Sequence, residues 1–580
     1  VHFETDDDIN TGKDLAYPWL HRHNHVRGEV FARSYANGVV ELFLRHINGF
    51  FFTEGGDLKG AVPVLGFRAK ERPGIDGQQE VVGPERWNLG GVAVDTTDAA
   101  SLLGEQFPGR KWMDGDVLVY QPYQGVEPFA GYNCEARTGD AHLCHAADRV
   151  IPKGTARTVR MTASLGDAPP EVAVYVAPAW LYGVSEEFSG EPLLPVLDET
   201  EEVIGEAARW LNTECYKNRF DDGAVCRHGL GCPNKPGEPG WEGEAPYSHL
   251  LAAYFTADPT TYDLALRTAY HFTDVAVDHA FLSARMHAYE TGAQALPMQR
   301  IMAPYGAYLE TGDPYLAETA IAVADHAYSW DTTNYPRRAY GRDAAYIRGL
   351  IFLYRFTGEG IYLRRARKAI GRVMATQLDD GSWADQGNTT GVHATPCLIV
   401  KPWMGLIATE PLVEYLTLVD DDEVAASVIR FADWLLSSKV TTEHGTHWTY
   451  QMSYGGSTTY PSLNGVITLP STGIFHVEYL AKVLGWASLH TGRREYYDSW
   501  QDSFSSFGEG ACLGGDWDHG ANKRIQNLLW QRSRLWGAKL GTNEIKVEPK
   551  EYLTPKSPRA RVVSPIGDIE VTTNRQILPI

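Results

Sequence analysis

Two kinds of hydrophobic pattern divide the chain. Up to about residue 185, short β-branched or aromatic runs such as Val39-Val40-Glu41-Leu42-Phe43-Leu44, Val117-Leu118-Val119-Tyr120 and Val172-Ala173-Val174-Tyr175-Val176 are punctuated by Gly, Pro and Asp turns. Many short strands with no helical periodicity between them predict an antiparallel β-sandwich over residues 1–190. A stretch with Ser189-Gly190, Pro192 and Pro195 ends it. From Asp198 onward apolar residues recur at three- and four-residue spacing, the period of a helix with one buried face.

The helical segments end in a repeated phrase. It reads Tyr254-Phe255-Thr256-Ala257-Asp258, Tyr308-Leu309-Glu310-Thr311-Gly312-Asp313, Tyr354-Arg355-Phe356-Thr357-Gly358-Glu359 and Leu489-His490-Thr491-Gly492, with a variant at Leu418-Val419-Asp420-Asp421. Gly after one helix and an acidic residue before the next supply a C-cap and an N-cap in a tight turn, so each phrase predicts the hinge of a helical hairpin. Around the hinges the helices fall at 198–214, 246–257, 259–281, 295–311, 314–330, 342–357, 360–378, 402–418, 421–438, 472–490, 493–507 and 520–537. Short and long links alternate, so all the long links gather at one end. Segments such as 343–353 are apolar around most of their circumference and predict an inner ring. Segments such as 362–370 carry one charged face and predict an outer ring. The expected architecture is a multidomain α+β chain: the β-sandwich, an (α/α)6 toroid over 191–540, and an extension over 541–580 with strand-like Arg561-Val562-Val563 and Ile569-Glu570-Val571-Thr572.

Composition narrows the function. Against 52 Lys and Arg stand 73 Asp and Glu, a formal charge of −21 over 580 residues. Nucleic acid and anionic membrane recruit broadly basic surfaces, so neither is expected as a partner, and no apolar run reaches the ~18 residues of a membrane span. The 16 Trp and 30 Tyr suit sugar clefts and cores alike. Cys134 and Cys144, and Cys215, Cys226 and Cys232, are spaced like loop-stapling disulfides of an exported protein. With Cys397 and Cys512 the count is odd and leaves at least one thiol free. The expectation is a secreted or periplasmic protein; Val1 in place of Met fits equally a removed signal peptide or a numbering that starts at an arbitrary point. Zinc at Cys134, His142, Cys144 and His145 ranks below disulfides, because the spacing matches no standard finger. A metal face at His21, His23, His25 and His46 ranks below a surface or cleft-wall role. No cofactor is required, although a structural metal stays open.

Candidate chemistry gathers where the long links enter the inner helices, since free N–H groups and positive dipole ends there favour an anion. Between Arg337 and Arg348 stand four arginines and one acid, Asp343, inside a strongly acidic chain. Guanidinium groups match carboxylates bidentately, so this excess points to an acidic polysaccharide or oligosaccharide; the competing reading pairs each arginine with an acid on a neighbouring helix. For a uronate, β-elimination needs a cation to neutralise the carboxylate and a Tyr, His or Lys to take the proton. Tyr247, His249 and Arg342 are the first candidates, with Arg338, His287 and His393 behind them. Trp241, Glu244, Arg300, Tyr305, Tyr346, Lys401, Trp403 and His476 are candidate substrate contacts. Hydrolysis instead needs two carboxyl groups across a cleft, which Glu242 or Glu244 with Asp343 or Asp385 would supply. Each has a plain alternative: helix capping for His249, a first-turn dipole contact for Glu244, a wall position for Tyr247, and core packing for the tryptophans.

A β-sandwich followed by inner helices reading Tyr247-Ser248-His249-Leu250-Leu251 to Thr256-Ala257-Asp258, and Arg342 to Tyr354-Arg355-Phe356-Thr357-Gly358-Glu359, resembles exo-rhamnogalacturonan lyases and other toroidal uronate-polysaccharide lyases. The resemblance covers residues 190–500 in layout. It implies β-elimination, metal-optional, by a Tyr or His base with Arg or Asn neutralising the carboxylate. A glycoside hydrolase acting on acidic oligosaccharides is the alternative, and a non-catalytic glycan-binding protein the third reading.

Overall fold

The computed structural model describes residues 2–4, 26–35, 37–48, 65–68, 80–83, 86–88, 92–95, 110–114, 117–121, 156–165, 244–256, 259–279, 282–284, 296, 299–334, 341–386, 398–442, 445–448, 452–453, 461–462, 465–466, 480–505, 538–540, 545–547, 561–564 and 567–570. The expected strand at 172–176, the expected helices at 198–214 and 520–537, every cysteine, and His21, His23 and His25 lie outside these residues.

Of the expected sandwich, the described residues hold two antiparallel sheets. The strands are β1 (His2–Glu4), β2 (Val26–Ser34), β3 (Val39–Asn48), β4 (Leu65–Arg68), β5 (Glu80–Gly83), β6 (Arg86–Asn88), β7 (Val92–Asp95), β8 (Arg110–Asp114), β9 (Val117–Gln121) and β10 (Ala156–Leu165). One sheet runs β1-β2-β3-β10-β7-β6-β5 and the other β4-β9-β8. Alternation in β3 sends Val39, Glu41, Phe43, Arg45 and Ile47 to a buried face. Two of those five are charged, because this face meets the helices. The C-terminal Arg561–Ser564 and Gly567–Glu570 pair as an antiparallel hairpin.

Five helical hairpins follow: α1 (Ala245–Thr256) with α2 (Pro259–His271), α3 (Met302–Thr311) with α4 (Pro314–Asn334), α5 (Tyr346–Thr357) with α6 (Gly360–Met374), α7 (Pro402–Leu416) with α8 (Asp422–Ser438), and α9 (Leu480–Thr491) with α10 (Arg494–Ser505). The hinge phrase has a physical basis. Gly312, Gly358 and Gly492 take left-handed φ of 70°, 71° and 73°, where a side chain would be strained. Each preceding threonine closes the turn from both sides. Thr311 Oγ1 donates to the Ala307 carbonyl at 2.8 Å and accepts the Asp313 N–H at 3.2 Å. Thr357 and Thr491 repeat this with Leu353 and Glu359, and with Ala487 and Arg493. The variant hinge has no glycine because Thr417 stays right-handed there, and Asp421 caps α8 by accepting the Val424 N–H at 3.2 Å.

Consecutive inner helices touch through small residues. A Cβ on Gly349 of α5 would lie 2.5 Å from Ile301 at the start of α3, and one on Gly306 of α3 would lie 3.2 Å from Leu250 of α1. Outer helices are joined by polar contacts instead: Arg372 to Asp331 links α6 to α4, Arg367 to Asp421 and Glu423 links α6 to α8, and Arg493 to Asp433 links α10 to α8. Five of the six expected hairpins are thus described, and closure of the ring falls outside the described residues.

Several helix ends differ from the expected ones for identifiable reasons. The second helix stops at His271 and continues as a π-turn, Phe272–Ala276. Asp274 in that turn accepts the Thr158 N–H of β10 at 2.6 Å and its hydroxyl at 3.0 Å, which draws the chain onto the sheet. The helix expected from 295 begins at 302, because the Gln299 amide pairs with both backbone groups of Ala284. Arg45 of β3 completes the junction. Its guanidinium donates to Asp313 Oδ2 at 2.5 Å, to Glu29 and to Thr158, and lies 3.6 Å above the Tyr315 ring. Phe43 stacks on Tyr270 at 5.7 Å, and Phe43, Ile47 and Ala156 belong to the same continuous core as the helices. Sheet and hairpins therefore share one core.

Candidate functional site

Starts of neighbouring inner helices pack on one another in two places. Glu244 sits one residue before α1, yet its carboxylate accepts the N–H groups of Ile301, Met302 and Ala303 at 3.0, 3.3 and 3.0 Å, capping α3. Burial pushes this carboxyl above its ordinary range, against the pull of nearby Arg300 and of the three donors. Gly341, just before the 3-10 turn Arg342–Ala344, packs so closely on the start of α7 that a Cβ there would lie 2.9 Å from Met404 Cβ. This sets the turn that holds Arg342 against the first turns of α7, the helix that Lys401 and Trp403 open. The long links also meet: Ala384–Gln386, Leu398–Val400 and Met452–Ser453 form one three-stranded antiparallel sheet, so the links entering α7 and α9 are tied together.

The expected site residues divide into three groups. In the first, side chains are committed to packing or bracing. Tyr247 is buried edge-on against Phe352 at 5.2 Å. Tyr305 is buried against Tyr308, Phe352 and Phe356, and burial raises its pKa. Tyr346 donates to Asp331 Oδ2 at 2.5 Å, a carboxylate it shares with Arg372; burial first, then that negative charge, push its phenol well above the usual range. Glu244 and Arg300 are buried in the α1–α3 junction, and Trp403 is buried at the first turn of α7. The second group stands at these helix starts. Lys401 is half-buried there, while His249 and Arg342 are placed by their backbones on the first turns leading into α1 and α5. Asp343 shares the 3-10 turn, and Asp385 lies in the strand Ala384–Gln386. The third group, Trp241, Glu242, His287, Arg338, His393 and His476, lies outside the described residues.

Deeper in, the structure brings together four charged residues that the sequence reading did not assemble. Glu410 and Glu414 lie one turn apart on α7. Arg348 of α5 reaches Glu410 Oε2 at 3.3 Å and Glu414 Oε1 at 2.8 Å; Lys482 of α9 reaches Glu410 Oε1 at 3.1 Å and Glu414 Oε1 at 2.8 Å. All four are buried, Lys482 completely. Because helices on both sides of α7 address the same stripe of it, that stripe faces the interior of the inner row. Burial pushes the Glu414 carboxyl up, but Arg348, Lys482 and Arg355 outweigh it and hold it at about 2. One of the four arginines of the third link is therefore paired with acids on a neighbouring helix. The available signal was a pair of glutamates at i and i+4 in the otherwise apolar run Leu406-Ile407-Ala408-Thr409-Glu410-Pro411-Leu412-Val413-Glu414.

Among the described residues no three His, Cys, Asp or Glu side chains converge to hold a metal ion, and no helix is long and apolar enough to cross a membrane.

No family model matches the chain, and no curated protein matches its sequence. Solved structures similar to it include a polysaccharide lyase, at 13% identity and a TM-score of 0.40, covering 59% of this chain and 100% of that one. A sugar epimerase from a ruminal bacterium is similar at 12% identity and a TM-score of 0.40, covering 53% of this chain and 90% of the other. A glycosyl hydrolase family 88 protein from Bacteroides vulgatus is similar at 11% identity and 0.40, covering 58% and 99%. At these scores the likeness decides neither the fold nor the reaction, and the architecture stands on the hairpins themselves.

Proposed function

We propose that the protein is a carbohydrate-active enzyme that binds an acidic glycan at the ring of inner-helix starts and cleaves it by β-elimination. The observation that carries this reading is the close packing of Gly341 on Met404, which sets the turn holding Arg342 against the helix start that Lys401 opens, in a chain of charge −21. Two basic residues at adjoining helix starts supply the neutralisation a uronate needs before its C5 proton can leave. Elimination then requires one base, for which His249, the fifth residue of α1, is the favoured candidate. Tyr247 fits less well, because its ring is packed in the core.

Paired-carboxylate hydrolysis is less well supported by the described carboxyls. Glu244 is raised by burial, as a general acid would be, but its oxygens are spent on three backbone donors inside the α1–α3 junction, and Glu414 is held ionised between two cations. An inverting or retaining pair needs one carboxyl that keeps its proton near neutral pH.

The test is incubation with a panel of pectic, ulvan-type and glycosaminoglycan substrates, followed by ultraviolet absorbance, since only elimination creates a conjugated unsaturated uronate. Arg342→Ala should lower kcat/KM on the acidic substrate by roughly a hundredfold or more, the scale of losing one charge-neutralising donor, with little change in melting temperature. Reducing sugar released without absorbance would replace elimination by hydrolysis, and full activity in R342A would remove that residue from the site.

A further inference from the structure

Glu244 joins two inner helices through two different groups. Its carbonyl oxygen accepts the Ser248 N–H at 3.0 Å and so opens α1. Its carboxylate accepts the Ile301, Met302 and Ala303 N–H groups and so opens α3. The residue holds a left-handed φ of 55°, which a residue with a side chain adopts only where the surroundings over-determine it. The end of a helix is a ready anion site, and here the chain fills that site with its own carboxylate, with Arg300 alongside. Further along, Tyr247 Cδ2 and Leu250 Cδ1 lie 3.3 and 3.2 Å from where a Cβ of Gly306 would stand. A clamp at the start and a close contact one turn further in together fix the rotation and the height of α1 against α3.

We propose that Glu244 is a positioning residue, whose carboxylate holds α1 in its rotation and height against α3 and so fixes the backbone position of His249; this role in turnover rests on the reaction read above. The clamp itself is a site shaped for a carboxylate group: three converging backbone donors and a buried guanidinium. A small carboxylate from solution should therefore take the place of the missing side chain.

Glu244→Gly tests this, because glycine accepts the left-handed φ and leaves a space the size of the lost side chain. The variant should melt lower than the native protein, and its kcat should fall by roughly a hundredfold while KM changes little, the scale of a misplacement of about 1 Å. Propionate or acetate, titrated at constant ionic strength, should raise its melting temperature and restore turnover saturably, whereas chloride should do neither and the native protein should not respond. Failure of both effects in folded E244G overturns the proposal. A restored melting temperature without restored turnover overturns the positioning role. If E244G folds poorly, its recovery on refolding in propionate rather than chloride is the readout. Glu244→Gln supplies a variant of native size whose amide turns its own donors on the helix N–H groups; native stability and turnover in E244Q would also sink the idea. The melting arm needs no substrate, so it decides the clamp even if no acidic glycan is cleaved and the functional reading falls.

Discussion

Replacing Lys482 by Met probes the buried charge cluster most sharply. Lys482 is wholly buried between Glu410 and Glu414, with nitrogen to oxygen distances of 3.1 and 2.8 Å. Methionine matches the length of the chain but removes the charge, leaving two buried carboxylates to share Arg348. Stranding a buried charge costs about 3–5 kcal/mol, much more than the pair contributes over an apolar replacement. In a helical region of this size that corresponds to a fall of roughly 6–20 °C in its thermal transition. Scanning calorimetry with circular dichroism measures it. Adding Glu414→Gln to K482M restores one anion to one cation, so the double variant should be more stable than K482M alone, with a coupling of about 1 kcal/mol or more. A K482M transition within a degree or two of the native one, or strictly additive effects, would refute the view that charge balance holds α5, α7 and α9 together.

Two further outcomes follow from the packing and the sheet junction. Gly349→Ala sets a methyl 2.5 Å from Ile301 and should cost about 1–3 kcal/mol by overpacking, relieved in part by Ile301→Ala, as read by denaturant unfolding. Asp274 is pushed up to about 6, by burial above all, although Arg45, Tyr315 and Thr158 pull it down. A raised folded-state pKa gives stability that is full below the unfolded value, near 4, and lost as pH rises through about 6. The advantage of the native protein over Asp274→Asn should therefore shrink by up to about 3 kcal/mol between pH 4 and 7, with His279, Tyr270, Asp313 and Glu29 also near this junction. A pH-independent difference would mean that Asp274 is ionised throughout.

The hinges were legible because their chemistry is local. Thr311-Gly312, Thr357-Gly358 and Thr491-Gly492 need only a left-handed glycine and a hydroxyl that reaches one turn back, both encoded within six residues. The helix ends at 271 and 302 were not legible, because each is set by partners beyond the neighbouring turns: Thr158 for Asp274, and Ala284 and Glu244 for the residues that open α3. The same distinction applies to the site. Residue type and local pattern singled out Arg342 and Lys401 at helix starts. They could not tell that Tyr346 would be drawn to Asp331, or that Glu244 would cap a helix 57 residues away.

By itself the sequence determined the period of each segment, the hairpin hinges, the alternation of β3 and the acidic balance, since these depend on neighbours within a turn or two of chain. Tertiary structure decided which charges are paired. The four members of the buried cluster lie on three helices, and the two glutamates at i and i+4 on α7 gain their cations only when α5 and α9 close over them. Burial converts a short sequence signal into a large energy, because charge pairing strengthens as water is excluded, and only the packed inner row excludes it.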